Sequence, residues 1–99
     1  MNVRRNWDLV TSHGLVLCYI ARGDNPTMGQ MARGLSMTER RISSIVRDLG
    51  EAGLIKIERR GRRNAYALNH SARFRHPTLS SVPVKPFLEE LAGNELSAN

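Results

Sequence analysis

The apolar residues of this 99-residue chain change their spacing at Gly53. Before it, apolar side chains recur at steps of three and four residues and form one stripe along a helix: Ile42, Ile45, Val46 and Leu49. After it, residues 54–58 change to a strand-like pattern, in which apolar and polar side chains alternate from Ile55 to Glu58 as in a strand with one buried face. Because glycine readily adopts the left-handed conformation that ends a helix, the sequence predicts a helix over residues 39–52 and a strand directly after it.

Arginines crowd the segment that follows this strand. Four of them flank a turn glycine, in the order Arg59, Arg60, Gly61, Arg62 and Arg63, and residues 64–68 then alternate again. Two alternating stretches around a short turn that contains glycine are typical of a β-hairpin. The sequence therefore predicts a hairpin with a strongly basic tip.

Two shorter helices are predicted upstream. The first begins at Asn6 or Asp8, ends near residue 22 and carries apolar residues at helical spacing: Leu9, Val10, Val16, Leu17 and Ile20. The second follows Thr27, which stands three residues before Gln30 as in a capping box, and it ends at Gly34.

The helix over residues 39–52 has two possible N-caps. Ser36 with Glu39 has the spacing of a capping box, whereas Thr38 places Met37 and Ile42 where they form a hydrophobic staple. We prefer Thr38.

The chain beyond residue 70 is irregular up to Pro83 and then shows a short amphipathic helix, with Phe87, Leu88 and Leu91 on one side and Gly93 as its stop. We therefore expect an α+β fold of three helices, a two-stranded β-hairpin and a short C-terminal helix. Residues 1–70 form the main domain in this interpretation, and residues 71–99 form a C-terminal extension.

Several function classes lack the residues they require. The one cysteine, Cys18, lies in the most apolar stretch and is predicted to fill the core. The histidines, His13, His70 and His76, do not have the spacing of metal ligands. Neither a phosphate-binding glycine loop nor a paired-carboxylate arrangement is visible, so we expect no enzyme, no cofactor and no metal. No apolar run reaches the length of a membrane span, and we expect a cytoplasmic protein.

The net charge of +6 favours a polyanionic partner. Eight of the fifteen basic residues lie between positions 38 and 63, so the charge is concentrated on the predicted third helix and the hairpin. Nearly all of them are arginines, whose planar guanidinium matches phosphate oxygens and guanine edges. A solvated surface of mixed charge is the alternative.

The third helix has a polar face opposite its apolar stripe. At about 100° per residue, Arg40, Ser44 and Arg47 project away from the stripe, with Arg41 and Ser43 on the flanks. Such a face can read base edges in the major groove of DNA, and the alternative is a solvated helix exterior with an Arg47–Glu51 pair.

The start of this helix and the hairpin tip complete the candidate DNA-binding set. Thr38 is more readily a cap than a base reader, and Glu39 either accepts from cytosine or complements the helix dipole. The hairpin arginines suit phosphates or a narrow minor groove, with protection of a sheet edge as the structural alternative. The hairpin candidates are Arg59, Arg60, Arg62, Arg63 and Asn64.

The segment GLSMTERRISSIVRDLGEAGLIKIERRGRRNAYALN resembles the core of the ArsR- and MarR-type winged-helix regulators. The resemblance covers about residues 7 to 69, and it implies a helix-turn-helix, a recognition helix, a basic wing and a return strand with Tyr66 and Leu68. The long dimerising helices of the MarR type and the cysteine-rich metal motif of ArsR sensors are missing.

The resemblance implies a transcription regulator that binds double-stranded DNA. Such regulators commonly form homodimers, and the apolar segments around residues 7–10 and 87–91 could join two subunits or pack back on their own domain. The alternatives are a protein interaction module with an acidic partner and, less favoured, a protein that binds structured RNA.

Overall fold

The computed structural model describes residues 9–23 and 25–93. In these residues four α-helices and one antiparallel hairpin follow one another in the order α1 (Ser12–Ala21), α2 (Met28–Leu35), α3 (Glu39–Glu51), β1 (Ile55–Arg60), β2 (Arg63–Leu68) and α4 (Lys85–Ala92). A short 3-10 helix, Pro77–Leu79, precedes α4. The predicted α+β layout is confirmed, and the element order is compatible with a winged helix-turn-helix.

Threonines cap the first three helices. Thr27 accepts from the Gln30 amide at 3.0 Å while the Gln30 side chain accepts from the Thr27 amide at 2.8 Å, so the predicted capping box is present. Thr38 accepts from the Arg41 amide at 3.0 Å, which confirms the preferred N-cap of α3. Each hydroxyl satisfies an amide that has no partner inside the helix.

The predicted start of α1 is wrong. The helix begins at Ser12, because the Thr11 hydroxyl caps the Gly14 amide at 3.2 Å and residues 9 and 10 are bends. Leu9 is 90% exposed and is not a core residue. Asn6 and Asp8 lie outside the described residues.

Gly34 does not end α2. The helix continues through Leu35, and Ser36 ends it with a left-handed backbone (φ 56°). The glycine is required for another reason: a Cβ at position 34 would lie 2.7 Å from the Tyr19 hydroxyl oxygen. Helices α1 and α2 can therefore pack closely only because residue 34 has no side chain.

The core draws on all four helices and on β1. Its most deeply buried large side chains are Val16, Met31, Ile42, Ile45 and Leu88. Cys18 belongs to this cluster, as predicted, and its burial raises the pKa of the thiol, while the charge of Arg22 acts in the opposite direction.

Helix α4 packs back onto α1. Leu88 is 1% exposed within the common core, and Phe74 contacts Phe87 edge to face with ring centroids 5.3 Å apart. Phe87 and Leu91 remain 39% and 38% exposed. The described part of the chain thus covers the apolar side of α4 only partly.

The hairpin is joined to α3 by its first strand. Ile55 pairs with Leu68 and Ile57 pairs with Tyr66, and Gly61, at φ 63°, opens the two-residue turn between the strands. A Cβ at Gly50 would lie 3.1 Å from the Ile57 Cδ1 atom, so Ile57 packs directly on the backbone of α3. Beyond Ile55 every residue of β1 is exposed, and the basic tip projects away from the core.

Two other structural findings concern the described residues. Their helices are all too short or too polar to cross a membrane. Their histidines, cysteine and carboxylates form no group of three or more that could hold a metal ion.

Two glycine substitutions in α2 test the packing of Tyr19. Gly34→Ala is expected to lower the free energy of unfolding by about 1 kcal/mol, because the clash with the Tyr19 ring outweighs the better helix propensity of alanine. Gly29→Ala is the control, since the nearest neighbours of its Cβ would be the flexible side-chain ends of Arg33 at 3.4 Å and Glu39 at 3.5 Å, and it is expected to stabilise by about 0.5 to 1 kcal/mol. Urea denaturation measures both. Equal stabilisation by the two substitutions would contradict this packing.

Candidate nucleic-acid interface

Helix α3 separates apolar and polar residues onto opposite faces, as predicted. Its four stripe residues are buried in the core, with Ile42 and Ile45 fully inaccessible. The exposed residues of the opposite side include Arg40, Arg41, Ser44 and Arg47. Ser43 is half-buried, so it belongs to the flank of this face. The core contact thus fixes which side of the helix meets solvent.

Glu39 and Thr38 serve the start of α3. Thr38 is committed to the Arg41 amide. The Glu39 carboxylate leans toward α2, since a Cβ at Gly29 would lie 3.5 Å from the Glu39 Oε2 atom. A carboxylate in the first turn also complements the helix dipole. Both side chains are exposed, but their contacts support helix geometry.

The later turns of α3 are arranged differently from the alternative interpretation, a solvated helix exterior with an Arg47–Glu51 pair. Arg47 and Glu51, both described residues, do not form an ion pair. Asp48 instead contacts His13 of α1, with 2.8 Å between Oδ2 and Nε2. This contact joins α1 to α3, and the sequence analysis missed it because the partners are 35 residues apart.

The four hairpin arginines have different surroundings. The Arg59 Nε atom donates to the Gly61 carbonyl at 2.8 Å, and Arg60 pairs with Glu58 at 3.2 Å. Arg63 donates to the carbonyl oxygen of Asn25 in the loop between α1 and α2. Within the described chain, Arg62 makes neither a hydrogen bond nor an ion pair. The four arginines of the predicted cluster therefore differ, and Arg62 is the one whose guanidinium has no partner among residues 9–23 and 25–93.

Asn64 lies on the face of the hairpin that packs against the core. It is half-buried, and its strand partner is Arg59. The Ile57–Tyr66 pair lies two positions further along the same two strands. Since side chains two residues apart in a strand share a face, Asn64 continues the inward-facing row. Its side chain is less accessible to a partner than the arginines of the tip.

Asn25 is a residue that sequence analysis did not single out. It has a left-handed backbone (φ 48°), and its Oδ1 atom accepts from the Tyr66 amide at 3.4 Å. Its place before Pro26 in a turn was visible, but its contact with a strand 41 residues away was not. The loop between α1 and α2 thus lies along the outer edge of β2.

Comparisons with known proteins return no significant match to a family model, a curated protein or a solved structure. The resemblance to the ArsR and MarR types accordingly stays a prediction, and the assignment of function rests on the residues themselves.

Removal of the α3 cap tests the role of Thr38. Thr38→Ala is expected to lower the free energy of unfolding by about 1 kcal/mol, because the Arg41 amide loses its acceptor. Thr38→Ser keeps the hydroxyl and should remain close to the wild-type stability. Thermal and urea unfolding measure the difference. If the alanine variant is as stable as the serine variant, the cap does not contribute as described.

Proposed function

We propose that this chain is a transcription regulator that binds double-stranded DNA sequence-specifically, with α3 in the major groove and the hairpin as a wing on the backbone or in the minor groove. The observation that carries the proposal is the exposed row of Arg40, Ser44 and Arg47. Among the described residues, no carboxylate lies within 4.0 Å of either guanidinium.

The chemistry of this row suits base recognition. The major groove of B-DNA is wide enough for an α-helix, and guanine presents two acceptors there that an arginine can contact together. A serine between two arginines keeps the centre of the face small, so the helix backbone can approach the bases. The opposite face is held in the core by Ile42 and Ile45, so the row has a rigid support.

The wing supplies a second positive surface. Its tip projects from the core, and the guanidinium of Arg62, which no described residue contacts, is available to a phosphate or to a narrow minor groove. The net charge of +6 would draw the protein to DNA before specific contacts form.

Binding of structured RNA is supported less well. Recognition of unpaired bases usually requires exposed aromatic side chains for stacking. The aromatic residue of the hairpin, Tyr66, is half-buried and packs against the core cluster. An α-helix also cannot enter the deep and narrow major groove of A-form RNA.

A homodimer forms part of the proposal, since a two-fold pair would read two half-sites about one helical turn apart. The support for a homodimer is that Phe87 and Leu91 are partly exposed on α4. The other predicted segment includes Trp7, which lies outside the described residues. Localisation in the cytoplasm likewise remains an expectation.

Fluorescence anisotropy on duplex DNA tests the proposal. A library of random duplexes should first yield a preferred sequence, and Arg40→Ala or Arg47→Ala should weaken binding to it by about 1 to 3 kcal/mol while relaxing the base preference. The affinity should also fall steeply with salt. In a plot of the logarithm of the association constant against the logarithm of the salt concentration, each neutralised phosphate should contribute about −0.9 to the slope.

Arg75→Ala is the matched control. It removes the same charge from an exposed position between β2 and α4, outside the proposed interface, and should leave the base preference unchanged. Equal affinity for duplex DNA and for heparin would favour an interaction module with an acidic partner. Affinity for DNA that does not respond to salt would contradict phosphate contact.

A further inference from the structure

One residue of the loop between α1 and α2 holds the wing at two points. The carbonyl oxygen of Asn25 accepts from the Arg63 Nη2 atom, and its side-chain Oδ1 atom accepts from the Tyr66 amide at 3.4 Å. Asparagine tolerates the left-handed backbone (φ 48°) that this arrangement uses. We call these three residues the wing anchor.

The position of the wing depends on such an anchor. A two-stranded hairpin is only marginally stable by itself, and here β1 is exposed beyond Ile55. Ile57 fixes the hairpin against α3 on one side. The anchor holds the outer edge of β2 on the other, so it adds to the packing of Tyr66 and Leu68 on the core in setting where the tip lies relative to α3.

We infer that Asn25 and Arg63 are positioning residues, and that Arg62 is the wing side chain that contacts DNA; the second part rests on the proposed function. The sequence alone treats the four tip arginines as equivalent. The structure distinguishes them, because Arg63 is bound to the loop and Arg62 has no partner among the described residues.

The remaining tip arginines fit the same division. Arg59 closes the turn on the Gly61 carbonyl, and Arg60 is offset by the carboxylate of Glu58. A DNA phosphate would have to compete with these contacts. For Arg62 no contact with a described residue has to be broken, so binding to DNA costs it side-chain entropy and hydration but no protein contact.

Hydrogen exchange without DNA tests the anchor itself. Asn25→Gly keeps the left-handed backbone but removes the acceptor, so the Tyr66 amide should exchange several-fold faster relative to the Ile45 amide, which reports on α3. Asn25→Asp restores an acceptor and should return the Tyr66 amide toward the wild-type rate. Unchanged exchange of Tyr66 in Asn25→Gly would overturn the contact between the Asn25 side chain and β2, and with it the assignment of Asn25 as a positioning residue. The contact of Arg63 with the Asn25 backbone carbonyl remains in this variant and is tested by the double-mutant cycle below.

A double-mutant cycle in DNA affinity tests the division between the two arginines. Arg62→Ala should weaken binding. It should also make the dependence of the logarithm of the association constant on the logarithm of the salt concentration shallower by about 0.9. Arg63→Ala should weaken binding in the wild-type background, yet in the Arg62→Ala background the ratio of Kd with and without Arg63 should fall to about one.

Additive effects of Arg62→Ala and Arg63→Ala would show that Arg63 contacts phosphate independently, and would overturn its assignment as a positioning residue. Failure of the wild-type protein to bind any duplex would refute the proposed function and, with it, the role of Arg62. The exchange rates of Tyr66 would still decide whether the Asn25 side chain holds β2.

Discussion

The rest of the structure depends on the packing of the apolar stripe of α3 in the core. Ile42 and Ile45 are fully inaccessible, and α3 packs against α1, α2 and β1. Because a helix is rigid, burial of one side determines which residues face solvent on the other. Arg40, Ser44 and Arg47 are therefore presented outward by the same packing that stabilises the fold.

Local contacts then set the ends and the surroundings of this helix. Thr38 caps its start, the contact between Asp48 and His13 joins its later turns to α1, and Ile57 packs on Gly50. None of these residues needs to touch a ligand. Their effect is to hold the exposed face of α3 and the hairpin in a constant relation, and such preorganisation would favour the proposed binding of a duplex.

The elements with strong periodicity could be predicted from the sequence. The bounds of α3, the turn at Gly61 and the stop of α4 at Gly93 follow from apolar spacing and turn chemistry, both of which act over a few residues. The start of α1 could not be predicted this way, because apolar spacing continues through Leu9 whereas the cap at Thr11 decides where the helix begins.

Two features that the sequence analysis misread or could not resolve, one in α2 and one at the hairpin tip, share a physical cause. Gly34 resembles a helix stop in sequence, but it lies inside α2, and its lack of a side chain leaves room for Tyr19 of α1. The tip arginines appear equivalent until Asn25, far away in the chain, is brought to the edge of β2. Periodicity indicates which side of a helix or strand is buried. It does not indicate which residue, far away in the chain, contacts a given side chain.

Chemical-shift mapping of the isotope-labelled protein with a selected DNA duplex tests the central claim most directly. The proposed mode predicts the largest amide shifts at Arg40, Ser44 and Arg47 of α3 and at Arg62 of the wing, with small shifts along α4. Shifts confined to α4, or spread evenly over all basic residues, would contradict insertion of α3 into the major groove.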